Sequence, residues 1–272
     1  MRISLMQYVL TMGIYIAFLY GFHELCRKHL KWSMIFFFGS LLTFPLWFHH
    51  LDGWFRWGKT LLVLVPTCFV NVVRLSNKHK DKGMAIFKKN WVYWVLFAVL
   101  FANIAEASMK DLSLGNYFNF ITGILLCITI PIPSKTWRVD RKEGFADLVA
   151  DIPLAWCFIY TTWNACFVYA ENPGYLASSM CILIVPEIYS IIKKRSDLWL
   201  NARIYTLAVH LLIRATMGDI FTPLMGSASW ANEQAVYIWG VLNIIVTVPF
   251  AIWWFTKGAK ANSKAHSSTK VA

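Results

Sequence analysis

Residues 174–222 read GYLASSMCILIVPEIYSIIKKRSDLWLNARIYTLAVHLLIRATMGDIFT. Two apolar stretches, 174–192 and 202–222, flank the basic triplet Lys193-Lys194-Arg195. Each stretch is near the ~20 residues that a helix needs to cross a bilayer core. Basic residues in a short connection hold it on the cytoplasmic side. The region therefore reads as two antiparallel membrane helices joined by a cytoplasmic turn.

Working outward, the same rhythm covers the chain. Nine apolar segments emerge: 3–22, 33–49, 57–73, 91–107, 113–131, 148–170, 174–192, 202–222 and 235–256. Lys and Arg concentrate in every second connection, in groups around Arg27, Arg74–Lys89, Lys135–Lys142, Lys193–Arg195 and Lys257–Lys270. The alternate connections and the N-terminus hold only Arg2, Arg56, Lys59 and Lys110. This alternation predicts an all-α polytopic membrane bundle of about nine helices, with the N-terminus outside and the C-terminus cytoplasmic. Segment 57–73 is the weakest and could instead tilt or re-enter. The domain is expected over 1–256, followed by a polar, disordered cytoplasmic tail at 257–272.

Composition agrees. Of 272 residues, 58% are hydrophobic and 15% charged, well below the roughly 25% charged of soluble domains. The net charge of +12 sits in short loops, where cytoplasmic retention and membrane lipids account for it, so no nucleic-acid partner is expected. The six Cys form no CxxC and lie in apolar segments, which suits buried hydrophobes rather than a metal site or disulfide framework. The run from Ile3 to Phe22 is long for a signal sequence and reads as an uncleaved first span.

Prolines at 131, 186 and 249 fall in returning helices, which permits repeated helical hairpins at 91–131, 148–192 and 202–256. Internal repeats are common in transporters, although chance similarity among apolar segments produces the same pattern.

Polar residues inside spans are the only specific chemistry. Arg203, Leu207, His210 and Arg214 step by four, three and four along one helix face. A buried Arg needs a carboxylate or an anionic ligand, so Arg214 is expected to pair with Glu106, Glu171 or Asp219, or to bind substrate. Asn103, Glu106, Asn164, Glu171 and Asp219 all fall toward the outer leaflet, where they could line a cavity with Arg214 and His210. Glu106 and Glu171 could equally be solvated helix ends. Glu187 follows Pro186, whose missing N–H frees the carbonyl of Ile182. It could couple to a proton or cation, or form a salt bridge with Arg203. Asp147 and Asp151 suit helix capping ahead of Pro153. Trp156, Tyr160, Trp163 and Phe167 follow helical spacing and read as core or lipid contact rather than a cofactor box. Adjacent His49 and His50 point apart and do not favour a shared metal.

No phosphate loop, zinc-protease, nucleophile-elbow or aspartate-rich motif occurs, and nothing implies a cofactor. The best-supported function is a secondary transporter or permease for a small polar or anionic solute. A membrane enzyme using carboxylates on a lipid or isoprenoid, and a structural or regulatory subunit, are the alternatives. Substrate, source membrane and oligomeric state stay open at this level.

Overall fold

A computed structural model describes residues 3–78 and 82–258, and the protein is 82% helical. In chain order the helices are α1 (Leu5–Lys28), α2 (Leu30–Trp47), α3 (Gly53–Lys78), α4 (Trp91–Ser113) and α5 (Tyr117–Ile128). They continue with α6 (Leu154–Glu171), α7 (Pro173–Lys193), α8 (Trp199–Met217) and α9 (Glu233–Gly258). Six of these, all but α5, α6 and α8, are long and apolar enough to cross a membrane. The chain is therefore a multi-pass helical membrane protein, and six of the nine expected crossings meet the length and apolarity of a span. The α5 helix has 12 residues, about 18 Å, well short of a 30 Å hydrocarbon core. The α8 helix carries Asn201, Arg203, Thr206 and His210, all buried within the bundle.

The doubtful third segment is a full helix. α3 runs for 26 residues with Pro66 inside it. The hairpin pattern holds only in part. α4 packs on α5 and α6 on α7, but α9 docks on α5 and α6 rather than folding back on α8. Pro186 and Pro249 lie inside helices, whereas Pro131 falls beyond the end of α5. The expected tail from residue 259 onward, with Lys260, Lys264 and Lys270, lies outside the described residues, as do Arg2 and Lys80.

One element departs from the all-α expectation. β1 (Trp137–Asp140) pairs antiparallel with β2 (Asp147–Ala150) at the lysine-rich end of the bundle. The segment expected as a helix from 148 therefore begins as a strand, and α6 starts only at Leu154, after Pro153. Asp147 and Asp151 are not helix caps. Asp147 accepts from Arg27 Nε at 2.9 Å and lies 3.7 Å from Arg74. Asp151 pairs with Arg138 at 2.6 Å. Every residue of β2 is buried. A buried carboxylate survives there because two guanidinium groups meet it.

Arg74 also closes the end of α1. It donates to the carbonyls of Cys26 at 3.1 Å and Arg27 at 2.7 Å, and to the Tyr205 hydroxyl at 2.7 Å. These carbonyls end a helix and have no intrahelical partner. Arg27 and Arg74 are thus 1% and 0% exposed, so two basic residues read as loop markers are interior struts.

Two apolar clusters fill the bundle. One gathers Trp156, Tyr160, Trp163 and Phe167 with α4 and α5, and the other joins α1, α7 and α8. The contact of α4, α5 and α6 depends on Gly123. A Cβ there would overlap Ser108 Oγ and lie 2.9 Å from Trp163 Nε1. All six cysteines are free and buried.

Candidate functional site

A cavity of about 320 Å³ opens at the lysine-poor end. The start of α3, the ends of α6 and α8, the loop at 49–52, and Asn172 with the start of α7 form its mouth. It descends along α8, where Arg214, His210, Leu207 and Arg203 all line it. Eleven residues separate Arg214 from Arg203, about 16 Å of helix.

The structure brings six of the seven expected binding residues to this one cavity: Arg214, His210, Asn103, Asn164, Glu171 and Asp219. Glu106 is not in the lining. It forms a salt bridge with Lys59 at 3.2 Å, and Lys59 also donates to the Asn103 carbonyl at 3.3 Å. Glu187 is also outside the lining.

The charge distribution along the cavity is uneven. Asp52, Glu171 and Asp219 lie at the mouth with Arg56 and Arg214. Lys59, paired with Glu106, lines the wall beside Asn103, and deeper, among Tyr160, Ile182, Leu207 and His210, the charged side chain is Arg203. Arg214 does not make the expected ion pair. No carboxylate lies within 4.0 Å of it among the described residues. Its guanidinium sits 3.9 Å over the ring of Tyr175, a cation–π contact that a desolvated Arg can use instead. The Tyr175 hydroxyl donates to Asp219 at 3.1 Å, and so does the Thr222 backbone N–H. Burial works against the charge on Asp219, but Thr222, Tyr175 and Arg214 outweigh it and hold its carboxyl below the usual range.

Arg203 is 4% exposed and makes no salt bridge among the described residues. Its Nη1 donates to the Ile182 carbonyl at 3.2 Å, and Thr206 Oγ1 approaches the same oxygen at 3.4 Å. The carbonyl that Pro186 leaves free is therefore occupied. Of the two roles open to Glu187, the direct salt bridge to Arg203 is absent among the described residues. Glu187 Oε1 instead accepts from Thr161 Oγ1 and Trp199 Nε1, each at 2.8 Å.

Three buried polar atoms in the lining have no hydrogen-bond partner: Asn103 Oδ1, Arg203 Nε and His210 Nε2. Such atoms normally find a partner, because leaving one unmet costs about 1–3 kcal/mol. The other ring nitrogen of His210 is fixed by Tyr15, whose hydroxyl lies 2.9 Å from Nδ1. Among the described residues no group of three His, Cys, Asp or Glu side chains is placed to hold a metal ion, and His49 and His50 form part of the cavity mouth.

Sequence reasoning did not place Arg203, Arg56 or Tyr175 in the site. Arg203 was findable, since it shares the helix face of His210 and Arg214. Tyr175 carried no such signal, because an aromatic near a helix start is ordinary at an interface. A second buried network was also missed. Asp111 accepts from Asn116 at 2.9 Å and Asn119 at 2.7 Å, and Asn243 donates to Asn119 at 2.8 Å. It ties α4, α5 and α9 together away from the cavity.

Comparison with protein-family models, curated proteins and solved structures finds no match.

Proposed function

We propose that this membrane protein binds a small anionic solute in the cavity along α8 and carries it as a secondary transporter. The observation that supports this most directly is the buried Arg203 deep in the cavity, with no carboxylate in salt-bridge distance, beneath a mouth where acidic and basic side chains mix. Arg203 is buried with no carboxylate in salt-bridge distance among the described residues and rests 5.6 Å over the Tyr160 ring, and a buried charge without a close counter-charge is costly. An anionic group at Arg203 would meet that need and satisfy its free Nε.

Two helices beside the cavity, α3 and α7, contain Pro66 and Pro186. Broken helices near a buried site are a recurring transporter feature. The β1–β2 hairpin stands at the opposite end, held by Arg27 and Arg74, so an opening there would have to move it. The lysine-rich end is assigned to the cytoplasm and the cavity mouth to the outside, following the loop charges. Glu187 is the proposed proton-coupling group. It has no salt bridge among the described residues, and with the Ile182 carbonyl taken by Arg203 a proton suits it better than a cation.

The enzyme alternative finds less support. Of Glu106, Glu171 and Glu187, Glu171 is the one in the cavity. A structural subunit would have no use for a lined cavity with unmet polar atoms.

Proteoliposomes containing the purified protein would test the transport reading with radiolabelled acetate and phosphate. The expected result is saturable uptake of at least one, lost in Arg203→Gln. Binding without uptake would overturn transport, and chemical conversion of a bound lipid would favour the enzyme.

A further inference from the structure

Below the polar cavity lies a second space of about 70 Å³ between α3, α4 and α8. Its wall includes Leu62, Pro66 and Val70 of α3, Leu96 and Val99 of α4 and Ile204 of α8. Apart from the Trp137 indole N–H and the Thr67 hydroxyl, it is apolar except where it meets the first cavity. The two share Asn103, Tyr160, Arg203 and Leu207. Its one interior hydroxyl, on Thr67, is already bonded to the Val63 carbonyl at 2.7 Å. Leu62, Pro66 and Val99 are only half-buried, so the space is not sealed from the lipid-facing side of the bundle. Pro66 accounts for the gap, since a proline inside a helix removes a hydrogen bond and bends the backbone away.

Arg203 therefore stands between a wet cavity on one side and a dry slot on the other. The two unmet atoms nearest that junction are complementary. Arg203 Nε offers a hydrogen, and Asn103 Oδ1 requires one. An anionic head that also carries a hydroxyl or a protonated oxygen would satisfy both.

Resting on the anion-binding reading above, we propose that the ligand is a single-chain anionic amphiphile, with its head at Arg203 and Asn103 and its chain in the slot between α3 and α4. A small hydrophilic anion would use only the first cavity and leave the slot empty. An uncharged hydrocarbon would leave Arg203 unmet. The shared chemistry is a carboxylate or phosphate monoester on an alkyl chain, and the two heads can be separated by experiment.

The test measures binding to the full-length protein in nanodiscs. The probes are acetate and ethyl phosphate as short anions, and dodecanoate and dodecyl phosphate as their long-chain counterparts. The expected result is tighter binding of a long-chain probe than of its short counterpart, by more than about tenfold if two methylenes are buried. Val99→Trp fills the slot from α4 and should remove that gain while leaving short-anion binding unchanged. Leu62→Trp fills it from α3 and should do the same, which covers the case where one variant folds poorly. Equal binding of short and long probes would overturn the amphiphile while the anion cavity stands. Failure of all four probes to bind would overturn both.

Discussion

Arg203 Nη1 lies 3.2 Å from the Ile182 carbonyl, the acceptor that Pro186, four residues on, cannot bond. A helix break in α7 is thereby closed by a cation from α8, and that cation becomes the charged floor of the cavity. The same proline that weakens one helix positions the residue on which the proposed binding depends.

Replacing Arg203 separates structure from binding. No carboxylate lies in salt-bridge distance of it among the described residues, so Arg203→Gln breaks no direct ion pair. The Gln amide can still donate to Ile182. Stability should fall by no more than about 1–3 kcal/mol, the cost of one weakened buried hydrogen bond. Affinity for the anion should fall at least about tenfold, since a charge-assisted contact is lost. Thermal unfolding in detergent and equilibrium binding on the same samples read the two effects.

Arg27 behaves in the opposite way. It bonds Asp147 and lies 2.8 Å from Glu143. Arg27→Met removes one partner of a buried ion pair and should cost about 3–5 kcal/mol. Arg27→Met with Asp147→Leu should be more stable than Arg27→Met alone, because the stranded acid is gone. A double-mutant cycle on melting temperature measures this coupling.

The hairpin should also sense acid. Burial raises the Asp140 carboxyl, but the Lys142 backbone N–H and Arg195, 2.7 Å away, prevail and hold it below its ordinary value. A depressed carboxylate adds stability above its unfolded pKa of about 3.9, and that stability is lost as pH falls through the folded value. Wild-type melting temperature should therefore drop below about pH 4. Asp140→Asn should start lower at neutral pH and lose less on acidification.

Glu187→Gln tests coupling. The Gln side-chain oxygen can still accept from Thr161 and Trp199, so the fold should hold. If Glu187 carries the proton, anion uptake should lose its pH dependence while binding at a fixed favourable pH persists. Unchanged pH dependence in the variant would remove Glu187 from the mechanism.

Sequence alone determined the class of this protein, because that depends on local quantities. Apolar runs near membrane length and alternating basic loops mark a multi-pass helical chain wherever they occur. The shared face of Arg203, His210 and Arg214 was equally legible, since helical spacing sets it without any neighbour. What lies across from that face was not. Arg214 was expected to find an acid and rests on Tyr175, and Arg203, one of the two roles open to Glu187 being to pair with it, meets a carbonyl. Those outcomes depend on how α6, α7 and α8 are rotated against one another, which no spacing within a helix records. Asp147 shows the same limit. In sequence it is an acid before a proline, suited to a helix cap. In the folded chain it is the centre of a buried ion cluster, because β2 and two arginines distant in sequence converge on it. Periodicity fixes faces, whereas packing alone chooses which faces meet.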